Sequence, residues 1–358
     1  MSGRILVAMS GGVDSSVAAA LLVEKGHEVV GATMKTFCYS EEAGPSKTCC
    51  GLDGIMDAQR VARTLGIPHY VFDVEEAFTR DVIDDFVNEY ANGRTPNPCV
   101  RCNSNTKFKD LLARGRALGC DGIASGHYVR IEHEDGESAL FRGTDRDKDQ
   151  SYFLWGLPGD MLPLLQFPLG DLTKPQVRSR AHELGLVTAD KPESQEICFV
   201  PTGDYRDLLE RRLAPTHPAL EPGPIVDLDG RVLGHHAGYA GYTVGQRKRL
   251  GGGFSESMFV VAVRTATREV VVGPSEACFS EGVEVGELNW HRAAPREGRE
   301  IQVQIRYRAP PVSATIEACG DLLRLMFEEP QRAVTPGQSA AVYEGERLLG
   351  GGRILVSV

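Results

Sequence analysis

The run Ser10-Gly11-Gly12-Val13-Asp14-Ser15-Ser16 constrains this chain more than any other stretch, because it joins a short apolar run, Ile5 to Met9, to an apolar-periodic one, Val17 to Val23. That order reads as strand, tight loop, helix. Two adjacent glycines let the backbone approach a ligand closely, while hydroxyls and unpaired amides at a helix start offer donors to an anion. The expected ligand is a phosphate. A P-loop needs a glycine, four spacers and then Gly-Lys-Ser/Thr; no lysine follows these glycines, which counts against a kinase or GTPase. The plain alternative is a glycine turn that merely opens a helix, and seven ordered residues between strand and helix favour a nucleotide loop over it.

From residue 1 to about 130, apolar runs alternate with helical patterns. The strands expected are Ile5 to Met9, Val29 to Met34, His69 to Val74 and one near Asp121 to Ser125. The helices are Ser15 or Ser16 to Lys25, Asp53 to Leu65, Glu75 to Tyr90 and Lys107 to Leu118, with Gly26 and Gly66 as closing residues. Strands separated by helices predict a doubly wound α/β domain with a parallel sheet. In such sheets ligands bind beyond the carboxyl ends of the strands, so Ser10 to Ser16, the residues after Met34, and Gly126-His127-Tyr128 should converge on one site. Further on, Thr173-Lys174-Pro175-Gln176 has capping-box spacing. The Pro-rich Ala214 to Pro224 marks a boundary, after which hairpin turns at Asp229-Gly230 and Glu344-Gly345 and short strands predict a small β-barrel or sandwich.

At 358 residues the chain exceeds one average domain of roughly 100–200 residues. No apolar run reaches the ~18 residues that span a bilayer, and no signal-peptide pattern opens the sequence, so a cytoplasmic protein without a membrane partner is expected. In that setting nine cysteines read as reactive, redox or metal-binding groups rather than as a disulfide framework. A net charge of −10 leaves room for nucleic acid, because RNA binding needs only a local basic face. Such faces are offered by Arg206, Arg211 and Arg212, by Arg247 to Arg249, and by Arg306 and Arg308 around Tyr307.

The segment Gly93 to Asn103 reads as a stiff loop with two prolines, and it positions Cys99 and Cys102. Arg101 and the following helix start should depress the Cys102 pKa, making it the better nucleophile. Cys198, with apolar flanks, reads by itself as a buried thiol. Cys99, Cys102 and Cys198 also have the character of ligands for zinc or an iron–sulfur cluster, with Cys38, Cys49 and Cys50 as a second group.

The loop Ser10 to Ser16 resembles the pyrophosphate loop of ATP-dependent adenylating enzymes. Together with Gly93 to Asn103, Gly126 to Tyr128, Lys148 to Phe153, Lys174 to Arg178, Ile197 to Phe199, Gly245 to Lys248, Arg306 to Arg308, Thr335 to Gln338 and Leu349 to Gly352, it makes the chain resemble the bacterial tRNA-specific 2-thiouridylase family. The resemblance implies an adenine-nucleotide-hydrolase-like catalytic domain (1–213), a small central domain (214–280) and a C-terminal tRNA-binding β-barrel (281–358). It also implies ATP with Mg2+, a tRNA substrate with a flipped wobble uridine, and a sulfur-donor protein. Carried over with it are Ala8, Met9, Ser10, Gly11, Gly12, Val13, Asp14, Ser15, Met34 and Gly126 for ATP, with Asp14 near magnesium. Asn97, Pro98 and Cys99 face the target base; His127, Lys148, Asp149, Gln150, Arg306, Tyr307 and Gln338 meet tRNA. Cys198 carries a persulfide, and Cys102 attacks it, leaving a disulfide between them. Some relatives have aspartate where this chain has Cys99, which leaves open a third cluster ligand or a passive replacement.

Overall fold

The computed structural model describes residues 3–36, 52–134, 136–193, 197–200, 203–251 and 256–358; Cys38, Cys49 and Cys50 lie outside them. Two compact units result: Met1–Val82 with Cys99–Gly203 and Glu346–Leu349, and Ile83–Pro98 with Asp204–Gly345 and Gly350–Val358.

In the first unit, β1 (Arg4–Ala8), α1 (Val13–Glu24), β2 (Glu28–Lys35), α2 (Leu52–Leu65), β3 (His69–Asp73) and α3 (Glu75–Phe78) follow one another. A π-helical turn, Thr79–Ile83, then leads into α4 (Asp84–Ala91) of the second unit, so the single helix expected over 75–90 is interrupted. Helical backbone resumes with α5 (Pro98–Arg101), a π-helical turn Cys102–Lys107 and α6 (Phe108–Ala117). After β4 (Gly122–Ser125) come the hairpin β5 (Val129–Glu134) and β6 (Glu137–Arg142), the short β7 (Leu165–Gln166) and α7 (Lys174–Glu183). The sheet order is β3-β2-β1-β4-β7, with all four pairings parallel. The chain leaves β1 toward β3 and crosses back to β4, so the order reverses at β1, whose next residues are Met9 to Gly12. That is where an α/β sheet opens a crevice.

Burial explains why α1 is apolar from Val17 to Val23. Val13, Val17, Ala18, Ala19, Ala20 and Leu22 are all buried, and Val17 and Ala18 share a core cluster with Val177 and Ala181 of α7. A helix covered on several sides needs no polar face. The capping-box residues open α7: the Gln176 Oε1 accepts the Thr173 N–H at 2.7 Å.

The second unit is mostly β-structure. After α8 (Tyr205–Arg212), β8 (Gly223–Val226), β9 (Val232–His236), β10 (Phe259–Arg264) and β11 (Glu269–Gly273) form a sheet of order β10-β11-β8-β9. The remaining strands are β12 (Phe279–Trp290), β13 (Glu300–Gln304), β14 (Val312–Cys319), β15 (Leu323–Arg332), β16 (Ser339–Glu344) and β17 (Arg347–Ser357). They run β12-β15-β14-β13-β16-β17, and β17 pairs back onto β12, closing a barrel. Alternation sets its inside: Ala314 and Ile316 on β14 and Leu323, Leu325 and Phe327 on β15 are buried, and their neighbours point outward. The hairpin turns at Gly230 and Gly345 sit where expected, both with positive φ.

Candidate active site

The loop after β1 is shaped by two glycines with different jobs. Gly11 takes φ +72°, and a Cβ there would sit 2.0 Å from the Gly54 carbonyl oxygen. Only glycine meets both conditions. Gly12 is extended (φ −98°, ψ 165°) and caps α1, with no side chain bonding the helix-start amides. Ser15 Oγ accepts the Ser10 N–H at 3.2 Å, and the Ser15 and Ser16 hydroxyls both donate to the Gly12 carbonyl, at 3.1 and 2.8 Å. Ala8 ends β1, and Met9 is held to β2 by its N–H on the Ala32 carbonyl at 2.7 Å. Gly126, beyond β4, lies so close to α1 that a Cβ would be 2.7 Å from Asp14 C and Ser15 N. Met34, on β2, is 9% exposed.

Positive charge reaches this loop from far along the chain. The Lys174 Nζ, on the first residue of α7, donates to both Asp14 carboxylate oxygens at 2.7 and 2.8 Å, and also lies 3.0 Å from Glu193 Oε1. Its side chain is 9% exposed, and its backbone N–H is held by Asp145 Oδ2 at 2.8 Å. Tyr128 adds its hydroxyl to Asp14 Oδ1 at 2.7 Å, and burial beside that carboxylate pushes the phenol pKa up. Lys148 Nζ completes the chain on Glu193 Oε2 at 2.8 Å. Burial works to raise the Glu193 pKa, but the hydrogen bonds and charges of Lys148 and Lys174 outweigh it and bring it down to about 2. On the same loop, Lys191 Nζ donates to the Gly11 carbonyl at 2.9 Å and to Asp57 at 2.6 Å. In this structure the cation that meets Asp14 is the Lys174 ammonium.

Cys99 and Cys102 lie on helical backbone, not on the stiff loop expected. Helix begins at Pro98, where a missing N–H costs nothing. Cys99 is exposed; Cys102, on the π-helical turn, and Cys198 are half-buried. Burial pushes the Cys102 thiol up to about 11, against the opposing charge of Lys107, with Cys99 adding to the rise. This reverses the depression expected from Arg101 and the helix start: desolvation of the sulfur dominates. The turn carrying Cys102 packs on α3, and Phe78 of α3 meets Phe199, the neighbour of Cys198, edge-on at 5.8 Å. One short helix thus supports the segments of two thiols 96 positions apart. Among the described residues no group of three His, Cys, Asp or Glu side chains stands close enough to hold a metal ion.

His127 is buried beside the Phe108 and Phe167 rings, with Nδ1 2.7 Å from Ser125 Oγ. Burial, then the Lys107 charge, holds its pKa well below 6.5, so the ring is neutral at pH 7. Asp149 is buried too, with its oxygens accepting from Gly143 N, Ser151 N, Ser151 Oγ and Arg142 Nη1. Gln150 is bonded twice to the Tyr128 backbone, at 3.0 Å each way. These two residues hold the turn on which Lys148 stands.

In the second unit, Gln338 Nε2 donates to the Thr95 and Pro96 carbonyls at 2.9 and 3.1 Å, fixing the approach to Asn97 and Pro98. Arg306 and Tyr307 lie on a turn past β13. The Arg306 guanidinium donates to the Arg332 and Ala333 carbonyls, and Gln304 Nε2 donates to the Arg306 and Tyr307 carbonyls. Tyr128 meets Asp14 as expected of the Gly126-His127-Tyr128 segment, whereas the residues that sequence reading missed as site members are Lys174, Lys191, Glu193 and Asp57. Their signal was faint: Lys174 lies inside a segment singled out for its capping box, and no local pattern marks Lys191 or Glu193.

Comparison with known proteins accounts for this arrangement. A family model described as the tRNA methyl transferase HUP domain matches residues 3–202, a tRNA methyl transferase PRC-barrel model matches 207–274, and an aminomethyltransferase β-barrel model matches 280–354. Relatives named tRNA-specific 2-thiouridylase are 51% identical in Carboxydothermus hydrogenoformans, covering 98% of this chain and 97% of that protein, and 50% identical in Geobacter metallireducens (98% and 96%). A third, in Thermus thermophilus, is 52% identical over 97% of this chain and 94% of its own. Among solved structures, a 4-thiouridine synthetase–RNA complex with bound ATP aligns at a TM-score of 0.35 and 14% identity, over 58% of this chain and 50% of that one. With three successive family models along its length and identities near one half over nearly all of it, the chain belongs to the tRNA-specific 2-thiouridylase family.

Proposed function

We propose that this chain is a tRNA-uridine 2-sulfurtransferase that adenylates the uracil C2 oxygen of the wobble uridine with ATP and replaces it with sulfur, releasing AMP and pyrophosphate. The observation that carries this reading is the presence, in one unit, of a loop met by two lysines and of two thiol segments, distant in sequence, supported on α3. An oxygen on C2 leaves poorly, and adenylation converts it into a good leaving group. The loop from Ala8 to Ser15, with Met34 and Gly126, is assigned to ATP, its amides facing the phosphates and Lys174 and Lys191 supplying charge. Magnesium is assigned as the companion of the nucleotide phosphates, near Asp14.

Cys198 is assigned the persulfide and Cys102 the attack on it, which leaves a disulfide between the two. Burial keeps Cys102 protonated until a reacting group reaches it, which guards the thiol against solution oxidants. Asn97, Pro98 and Cys99 are assigned to the target base; His127, Lys148, Asp149, Gln150, Arg306, Tyr307 and Gln338 are assigned to tRNA, Asp149 through the turn it holds. The division into 1–213, 214–280 and 281–358, a persulfide-donor protein and a cytoplasmic location belong to the same reading. Among the described residues no helix is long and apolar enough to cross a membrane.

The test is nucleoside mass spectrometry of unmodified tRNA incubated with the protein, magnesium-ATP and a persulfide donor, with AMP followed in parallel. New 2-thiouridine that disappears in Cys198→Ser is the expected result. Thiolation that survives both Cys198→Ser and Cys102→Ser would refute the persulfide assignment, and AMP release without thiolation would reduce the reading to adenylation.

A further inference from the structure

Two neighbouring residues of β17, Arg353 and Ile354, hold the segment that precedes Pro98 by separate routes. Ile354 works through its backbone: its carbonyl accepts the Gly337 N–H and its N–H donates to the Gln338 carbonyl, at 2.8 Å each. The turn fixed in this way takes the Thr95 N–H on the Pro336 carbonyl at 2.8 Å, and the Gln338 side chain holds the Thr95 and Pro96 carbonyls. Gly337, with φ +91°, stands so near that a Cβ would be 2.8 Å from Thr95 N and O. Arg353 works through its side chain, which is 8% exposed. Its Nη2 donates to both Asp85 oxygens at 2.7 and 3.0 Å, and its Nη1 lies 2.8 Å from Glu89 Oε1, both on α4. Glu89, itself buried, also takes the Arg94 Nε on Oε2 at 2.8 Å and the Arg94 Nη2 on Oε1, while its carbonyl accepts the Arg94 N–H at 2.9 Å.

One carboxylate thus bonds two guanidinium groups. Burial works to raise the Glu89 pKa, but Arg94 and Arg353 hold it below the ordinary carboxylate value. Such a network adds little stability over apolar packing, because taking the charges out of water offsets their attraction; what it supplies is a fixed geometry. The backbone of β12 is bent to complete it. Glu287 takes φ +49°, where the Cβ crowds the following carbonyl, at a shift of register between Gly286 and Asn289, and its Oε1 reaches Arg353 Nε at 3.2 Å.

We propose that Glu89 and Arg353 are positioning residues for the segment Arg94–Asn97, gripping it from α4 while Gln338 grips it from the barrel, so that Asn97 and Pro98 are presented in one geometry. The proposal rests on the assignment of Asn97 and Pro98 to the target base. Neither Glu89 nor Arg353 is assigned a contact with that base; they act through Arg94. A reacting group displaced by about 1 Å can lose on the order of 100-fold in rate, so loosening this segment lowers the rate of the chemical step while tRNA is still bound.

The test compares full-length wild type with Glu89→Gln and with Arg94→Met, whose side chain is 38% exposed and tolerates the change more easily, at a temperature where circular dichroism shows each fully folded. Amide hydrogen exchange of peptides covering 94–97 should be about tenfold or more faster in both variants, with the β16 amides unchanged. Unchanged exchange at 94–97, or an equal acceleration in β16, overturns the proposal. In single turnovers with tRNA, magnesium-ATP and a persulfide donor, the maximum rate of 2-thiouridine formation should fall about tenfold or more, with the half-saturating tRNA concentration within about twofold of wild type. A loss confined to half-saturation would make Arg94 a tRNA contact and overturns the positioning role. The exchange measurement uses neither tRNA nor ATP. A segment that loosens in a protein that forms no 2-thiouridine defeats the functional reading alone, and thiolation at an unchanged maximum rate defeats the positioning role alone.

Discussion

Replacing Lys174 by methionine keeps most of the side-chain volume and removes the ammonium that joins Asp14 to Glu193. Removing one partner of a buried ion pair costs about 3–5 kcal/mol, because the other charge stays behind without compensation. Here the partners are only partly shielded, with side-chain exposures of 32% for Asp14 and 29% for Glu193, and Glu193 keeps Lys148. Water therefore returns part of the loss, and we expect about 1–3 kcal/mol. At ~2–4 °C per kcal/mol for a unit of this size, the first unit should melt about 2–12 °C lower. The interaction itself is isolated by a double-mutant cycle with Asp14→Asn, measured by urea unfolding of all four proteins at pH 7. A coupling of about 1–2 kcal/mol is expected. Values that add to within ~0.5 kcal/mol would show that the two side chains act independently and that Lys174 does not secure the loop.

Three other outcomes follow from the same geometry. Gly126→Ala places a methyl against the backbone of Asp14 and Ser15, which cannot rotate away, so stability should fall by about 1–3 kcal/mol and ATP affinity with it; Gly234→Ala, with open space around it, should stay within ~0.5 kcal/mol. Glu193 has a folded pKa of about 2 against an unfolded value near 4.5, so its stabilisation is complete above pH 4.5 and is lost as the pH falls toward 2; Glu193→Gln should flatten that limb of a stability–pH curve, and an unchanged limb would count against the network. Alkylation at pH 7.5 followed by peptide mapping should label the exposed Cys99 well before Cys102, with the Cys102 rate climbing toward pH 11; equal rates would mean that the Cys102 sulfur is not desolvated.

Much of the catalytic fold is legible in the sequence because strand and helix periods, glycine closures and hairpin turns act over a few residues. Strands β1 to β4 and helices α1 and α2 lie within one or two residues of their expected limits. Where local signals conflict, the reading is coarser. The long β12 was not anticipated, since its apolar positions are interrupted by Gly282, Gly286 and three glutamates; its pairing with β15 and β17 carries it through several irregularities of register. The 75–91 helix shows unbroken periodicity, and the π-helical turn inside it has no local sequence mark.

What the sequence by itself determined is the loop: a glycine pair between an apolar run and an apolar-periodic one sets strand, turn and helix over a few residues, and the structure adds why Gly11 is glycine, its positive φ and the Gly54 carbonyl against it. The charge on that loop was decided by tertiary structure. Lys174 reaches Asp14 from 160 positions away because α7 packs on α1 through Val177 and Ala181, and Lys191 arrives on Gly11 from 180 positions away. The Cys102 pKa was decided in the same way. Arg101 and the helix start are neighbours in sequence and argue for a thiolate, whereas the desolvation that overrules them comes from segments that fold over the sulfur. A local pattern specifies backbone shape; the dielectric around a side chain, and the partner it meets, depend on which elements pack together.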